Sequence, residues 1–429
     1  MNLFDELKWR GLVFDATDGL ADAFDKERVT AYIGFDPTAS SLHIGNLLGL
    51  VTLARLQRYG HSPIAIAGGG TGMIGDPSGK SQERRLLTPE QINQHLDSIK
   101  PQLAQFLDFD RPDNPARVVN NADWLASLDL LGFLRDTGKH FTVNYMLQKE
   151  SVNRRLESAD GISYTEFSYL LLQARDFLEL FDRFGCTLQM GGSDQWGNIT
   201  AGIELIRKVR GKKVHGLVTP LVTTASGAKF GKSEGDAIWL DPTRTLRSEF
   251  RNFWLNTDDR DVIAYLKYFT FLTRSEIDDL EAQVRSAPEK REAQRVLAAS
   301  VTTLVHGAED ATRAESANTL LFGATTLSGS VDDAPHVADQ LLAIAADVPS
   351  TTMAAADFDG EGVGVVDFVS RAIAASRSEA RRLVQQGGVS VNDRKIADPN
   401  ARLTRGDAID GRVFLLKKGS RQRFVIRLA

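Results

Sequence analysis

The 429-residue sequence predicts an α/β fold: a doubly wound parallel sheet, then a helical region, then a small α+β module. Three observations carry this. Residues 28 to 67 run as a β-rich segment, an amphipathic helix and a second apolar strand. Residues 247 to 325 keep a helical, charge-rich pattern. From residue 363 onward the charge balance reverses, which marks off a separate module.

RVTAYIGF, 28 to 35, is a short β-rich run, and Pro37 with Thr38 turns the chain. Beyond it Leu47, Leu48, Val51, Leu53 and Leu56 give a broad apolar helical face. His43 falls in the first turn behind Ser41, the expected N-cap, and Tyr59-Gly60 ends the helix. PIAIAGGG then suits a buried parallel strand, so the three segments form a βαβ unit, the start of a Rossmann-like sheet. Residues 89 to 180 read as mostly helical, opened by Thr88-Pro89. Residues 181 to 222 return to shorter elements, with CTLQM and HGLVTPLV as strand candidates. Between Arg313 and Arg371 there is no lysine or arginine, and GATTLSGS and DFDGEGVG bracket the stretch as connectors. The expected domains are therefore 1–222, a sheet domain with a helical insertion; 223–246, a polar loop; 247–325, helical; 326–362, an acidic linker; and 363–429, the terminal module.

Composition narrows the class. The chain is 42% hydrophobic and 25% charged, enough to bury a large core. No apolar run reaches the roughly 18 residues a membrane span needs, and the N-terminus lacks the pattern of a secretion signal. The single cysteine, Cys186, excludes an internal disulfide and fits a reducing cytosol. Seven scattered histidines argue against a structural zinc site. Residues 363 to 429 hold 14 Lys+Arg against 6 Asp+Glu, and the remainder holds 37 against 50. A basic tail on an acidic body points to a polyanionic partner for the tail.

Several short segments carry chemistry. SLHIGN, 41 to 46, sits at a helix N-terminus, where free N–H groups favour an anion and Gly45 admits close approach of a ligand; a surface histidine beside a cap is the bland alternative. GGGTGMIGDPSGKS, 68 to 81, contains GxGxxG, but Asp76-Pro77-Ser78-Gly79 interrupts the helix a dinucleotide fold requires. Its GKS end resembles a P-loop, yet Ile74 stands where that motif needs glycine. What remains is a glycine-rich loop with Asp76 and the cations Lys80, Arg84 and Arg85. KFGKS, 229 to 233, places two lysines three apart beside glycine, suited to clamping phosphates or to an ordinary exposed turn. Tyr169, Gln173 and Asp176 fall at i, i+4 and i+7, one face of a helix.

Taken together, the HIGH-like LHIGN on the first βαβ turn and the KMSKS-like KFGKS after the last strand resemble a class I aminoacyl-tRNA synthetase. YIGFDPTASSLHIGN, GDPSGKSQER, YTEFSYLLLQARDF, GGSDQWGNITAG and KFGKS, in this order, resemble the bacterial tyrosyl-tRNA synthetases. SRSEARRLVQQGGVSVNDRKI is similar to the RNA-binding module of the small-subunit ribosomal protein four family.

That resemblance implies tyrosine activation by ATP with Mg²⁺, transfer of tyrosine to its tRNA, and a cytoplasmic homodimer without membrane contact, for which GKHFTVNYML is a candidate contact or a core segment. It implies that Thr38, His43, Asn46, Lys80, Arg84, Lys229 and Lys232 serve catalysis at the phosphates. Asn46 stands where the family has the second histidine of HIGH, and its amide is also a donor. Tyr32 and Asp176 would take the phenolic hydroxyl, with Asp76, Tyr169 and Gln173 around the ammonium group; Gln195, also counted among the tyrosine-binding residues, would line the ribose and adenylate region. Gly34, Asp36, Gly45, Gly192 and Asp194 would line the ATP site with His43, Asn46 and Lys232. Arg377, Arg381, Arg382, Lys395 and Arg402 would contact tRNA. The sister tryptophan enzyme and a catalytically silent, RNA-binding homologue are the rival readings. No metal ligand set is expected in the protein itself.

Overall fold

The computed structural model describes residues 2–78, 87–157, 161–225, 230–233, 236–322, 334–419 and 422–429, with the backbone alone at 232, 233, 236 and 322. Two compact units emerge: Met1–Asp241 with Thr257–Leu297, and Pro242–Asn256 with Ala298–Ala429.

The first unit is built on a six-stranded sheet. Its strands are β1 (Asp15–Ala16), β2 (Thr30–Phe35), β3 (Ser62–Ala67), β4 (Arg117–Asn120), β5 (Leu188–Gly192) and β6 (His215–Thr219), in the order β1-β6-β5-β2-β3-β4. All pairs are parallel except the short β1 against β6. The chain winds outward from β2 through β3 to β4, then returns to lay β5 on the other side of β2. This reversal opens a crevice at the carboxyl ends of β2 and β5, the place where doubly wound sheets bind ligands. Gly34 lies near one lip and Gly192 on the other.

Each element has a local cause. β3 is buried at every residue, as its continuous apolar run requires. The helix Ile44–Arg58 stops at Tyr59, and Gly60 supplies the left-handed turn. Thr88 caps the helix Pro89–Phe106 through a capping box with Gln91, with proline in the first turn. The helix Tyr164–Phe184 runs from Ser163, its N-cap, to Gly185. It buries Leu170, Leu171, Phe177 and Leu178 in a core shared with Tyr32, Ile64 and Trp124.

Several expectations are corrected. The helix N-cap is His43, not Ser41. The Ser41 hydroxyl is spent on the Leu42 carbonyl at 2.7 Å, and residues 42–44 bridge to 238–240, so the helix cannot start earlier. Residues 181–222 are not all short elements, because they include the 15-residue helix Trp196–Arg210. The strand β4 interrupts the expected helical run from 89 to 180. Within 138–147, Phe141 and Met146 are core residues while Val143 is exposed.

The region 247–325 does not stand alone. Residues 257–297 belong to the first unit, where Arg10 and Arg55 donate to the Thr270 carbonyl at 3.2 and 2.8 Å. Arg10 also reaches the carbonyls of Lys267 and Leu272. These bonds tie the end of the helix Asp259–Phe269 to the first unit.

In the second unit the expected linker is largely folded. The helix Ala334–Ala343 precedes β9 (Ser350–Met353), and GATTLSGS lies outside the described residues. β10 (Val363–Gly364) pairs with β13 (Arg402–Leu403). β11 (Val389–Val391), β12 (Arg394–Ile396), β14 (Val413–Lys418) and β15 (Gln422–Leu428) join β9 in the order β12-β11-β14-β15-β9. β9 pairs parallel with β15, so the module begins before residue 363. Among the described residues, no helix is long and apolar enough to cross a membrane.

Candidate active site

The first signature segment is organised by its helix terminus. The His43 side chain accepts the Gly45 N–H through Nδ1 at 3.0 Å, and Asn46 Oδ1 accepts the His43 N–H at 3.1 Å. This reciprocal box fixes both polar side chains at the positive end of a 15-residue helix. The Asn46 oxygen is therefore engaged, which leaves its amide as the group available to donate. A Cβ on Gly45 would lie 2.6 Å from the imidazole, so only glycine fits beneath His43. Thr38 is exposed just past β2, its N–H donating to the Asp36 carbonyl at 2.8 Å.

The structure brings Gly231 of KFGKS to this terminus. Ile44 N–H donates to the Ile238 carbonyl, and Ile238 N–H to that of Gly231. Gly231 has φ +86, and a Cβ there would meet Ile44 at 3.2 Å. Lys232 lies on β7 (Lys232–Ser233), paired with β8 (Asp236–Ala237). Phe230 stacks on Phe269 with centroids 5.6 Å apart and meets Tyr265 edge-on at 5.3 Å. Lys80, Arg84, Arg85 and Lys229 lie outside the described residues.

A second cluster fills the crevice floor. Tyr169 donates to Asp36 Oδ2 at 3.1 Å, and Thr71 donates to Asp36 Oδ1 at 2.9 Å. Asp76 accepts from Gln195 at 2.7 Å; Gln173 donates to Gln195 at 3.1 Å and accepts from Asn198 at 2.9 Å. Burial pushes the Tyr169 phenol well above its usual value, and the charges of Asp36, Asp76 and Asp176 add to the rise. A pocket holding the Asp36 and Asp76 carboxylates suits a cationic group such as an ammonium.

Asp176 lies deeper. Its two oxygens accept from Trp124 Nε1 at 2.7 Å and Asn121 Nδ2 at 2.9 Å. Burial lifts this carboxyl to about 7, against the pull of those two hydrogen bonds. Tyr32, 2% exposed, has a buried hydroxyl with no hydrogen-bond partner among the described residues. Its phenol is pushed well up, first by burial and then by the Asp176 charge. A buried donor without a partner costs about 1–3 kcal/mol, so this one has the character of a group built for a ligand.

Gly34 and Asp194 are exposed, Gly192 half-buried. The Asp194 carboxylate folds over Gly192, where a Cβ would approach it to 2.8 Å. Trp124, Asn121, Thr71 and Asn198 were not anticipated; the hydrogen bonds that recruit them span from 25 to 55 residues, beyond any local pattern. Among the described residues there is no group of three or more potential metal ligands.

In the second unit, Arg377 is paired with Asp367 at 2.8 Å. Arg381 and Arg382 are exposed on the same helix, Arg377–Gln385. Lys395 lies across Gly387, where a Cβ would meet its chain at 2.6 Å. The Arg402 guanidinium donates to the carbonyls of Glu361 and Gly362 at 2.7 and 2.5 Å, so it fastens the β10 turn.

Residues 25–323 match the family described as tRNA synthetases class I (W and Y), and 340–426 match the tyrosine--tRNA ligase SYY-like C-terminal domain. A tyrosine--tRNA ligase of Roseiflexus castenholzii is 56% identical over 427 residues, covering 99% of each chain. The Bacillus caldotenax tyrosine--tRNA ligase is 51% identical over the full length of both. A crystal structure of a C-terminally truncated Aspergillus nidulans mitochondrial tyrosyl-tRNA synthetase superposes with TM-score 0.69 at 32% identity, over 75% of this chain and 94% of that one. A Plasmodium falciparum tryptophanyl-tRNA synthetase shares the fold at TM-score 0.53 and 14% identity, over 72% of this chain and 84% of that one. With a site of this geometry at the switch point of its sheet and such relatives along its whole length, the chain belongs to the tyrosine–tRNA ligases among the class I tRNA synthetases.

Proposed function

We propose that this chain joins tyrosine to ATP, giving tyrosyl-adenylate and pyrophosphate, and then transfers tyrosine to the 3′ end of its tRNA. The observation that carries the amino-acid assignment is the unpartnered Tyr32 hydroxyl beside the buried Asp176 carboxylate. A substrate phenol donates to Asp176 and accepts from Tyr32, satisfying both. Phenylalanine would leave the Tyr32 hydroxyl unpaired in a dry pocket and offer Asp176 no further donor. Tyr169, Gln173, Gln195 and Asp76 line the ammonium subsite beside Asp36. An indole fits this pair less well, since its N–H can donate to Asp176 but offers Tyr32 no oxygen.

The chemistry asks little of a general base. The tyrosine carboxylate oxygen attacks the α-phosphorus, the bond from α-phosphorus to the bridging oxygen breaks, and pyrophosphate leaves with its electron pair. What the protein supplies is in-line placement and charge at the phosphates. His43 and the Asn46 amide sit at the helix terminus for this purpose, and Thr38 is assigned to the same phosphates. Lys80, Arg84, Lys229 and Lys232 are assigned to the departing pyrophosphate. Gly34, Gly45, Gly192 and Asp194 border the adenosine. Mg²⁺ enters as part of the ATP substrate, and no step is derived through a protein-held metal.

For tRNA, Arg377, Arg381, Arg382 and Lys395 form the proposed phosphate-facing surface, with Arg402 behind it. A homodimer is proposed as well, because Leu130, Leu131, Leu134, Val143, Leu156 and Tyr164 are all exposed large apolar side chains.

Calorimetric titration of tyrosine into the wild type and Tyr32→Phe tests the assignment. Affinity is expected to fall about three- to tenfold, the worth of one hydrogen bond, without loss of melting temperature. Equal affinity in both proteins would remove Tyr32 from phenol recognition.

A further inference from the structure

Seven residues beyond Asp176 on the helix Tyr164–Phe184, almost straight along the same face, stands Arg183. Its guanidinium carbon lies 5.4 Å from the centroid of the Trp124 ring. Trp124 is 3% exposed and bridges the two: its N–H goes to Asp176 at 2.7 Å, and its face goes to Arg183. The guanidinium does a second thing. Arg183 Nε donates to Glu179 Oε2 at 2.9 Å, while Arg175 takes the other Glu179 oxygen. Glu179 is thus held by two cations along the stripe 175, 179, 183, three residues from Asp176.

We propose that Arg183 is a positioning residue for phenol recognition: it clamps Trp124 so that the indole N–H stays on Asp176, and it neutralises Glu179, the neighbouring acid on the same helix. This rests on the reading that Asp176 receives the substrate phenol. Arginine suits both tasks because its planar guanidinium stacks on an indole while its edge donates to a carboxylate.

The charged and titratable groups around Asp176 come from two elements. Tyr32 and Asp36 face it from β2 and the turn after it; Tyr169 and Glu179 face it from its own helix. Asp36 and Glu179 both push the Asp176 carboxyl upward, after burial. Uncovering Glu179 therefore makes Asp176 harder to ionise and moves tyrosine recognition to higher pH.

The test is ATP–pyrophosphate exchange on full-length Arg183→Gln, Arg183→Lys, Glu179→Gln/Arg183→Gln and Asp176→Asn, with tyrosine and phenylalanine, from pH 6 to 9. In Arg183→Gln, KM for tyrosine is expected to rise about three- to tenfold with kcat nearly unchanged. Its tyrosine acid limb should move to higher pH, and phenylalanine kinetics should hold. Arg183→Lys should keep the wild-type limb but not the wild-type KM. The double variant should restore the limb without restoring KM, which a purely structural role would not produce. Wild-type KM and limb in a folded Arg183→Gln would overturn the proposal. If Asp176→Asn destroys discrimination while Arg183→Gln does not, the Arg183 role alone falls. If Asp176→Asn leaves discrimination intact, the phenol assignment falls with it.

Discussion

Replacing Asp176 by asparagine separates what the carboxylate does for the fold from what it does for tyrosine. In the free protein it accepts from both Trp124 and Asn121. Asparagine keeps one oxygen and turns an amide N–H₂ toward the other donor, leaving buried N–H groups unpaired at about 1–3 kcal/mol. That cost is common to every substrate. The charge-assisted bond to the phenol, worth about 1.5–3 kcal/mol, is lost for tyrosine only. At 1.4 kcal/mol per factor of ten, the tyrosine-over-phenylalanine ratio of kcat/KM should fall roughly ten- to 150-fold. Pyrophosphate exchange with each amino acid measures this ratio.

The pH dependence adds a second readout. Burial lifts Asp176 to about 7, so kcat/KM for tyrosine should decline as pH drops below that value, and the asparagine variant should lose this limb. The effect on stability has a definite sign. The folded value is raised above the unfolded one, so the site's contribution is complete below about pH 4 and is lost as pH rises through about 7. The variant should not show that loss. An unchanged ratio and an unchanged limb in a folded variant would refute the reasoning.

Three further outcomes are expected. Asn46→Ala removes one half of the capping box, at about 0.5–2 kcal/mol of helix stability, and should slow single-turnover adenylate formation with little change in tyrosine affinity. An unchanged rate would remove Asn46 from the phosphate site. Phe230→Ala takes KFGKS off Phe269 and Tyr265; it should raise KM for ATP several-fold while calorimetric tyrosine affinity holds, and equal ATP kinetics would contradict that anchoring role. Truncation after Phe322, rather than at 363, should abolish tRNA charging yet spare pyrophosphate exchange, because a cut at 363 strands β9 without β15. Loss of both activities would count against a separate tRNA role for the terminal module.

Much of this was legible in the sequence because it is local or periodic. The βαβ unit shows in the change of apolar period, and the stripe Tyr169, Gln173, Asp176 follows from helical spacing. What escaped depends on distant partners. Trp124 and Asn121 stand on no recognisable pattern, and only the fold carries them to Asp176. His43 displaced Ser41 as cap because a bridge to residues 238–240 fixes the preceding backbone. The acidic stretch looked like a linker from its charge, yet Ser350–Met353 pairs with β15 some seventy residues on. The sequence pattern puts residues 257–297 in a separate helical domain, because nothing local announces that Arg10 and Arg55 bind their carbonyls.

The central claim is that this chain activates tyrosine. Its most direct test is ATP–pyrophosphate exchange by the full-length protein with tyrosine, phenylalanine and tryptophan supplied separately. Exchange with tyrosine alone is the predicted result. Exchange with tryptophan, or with none of the three from folded protein, would contradict it.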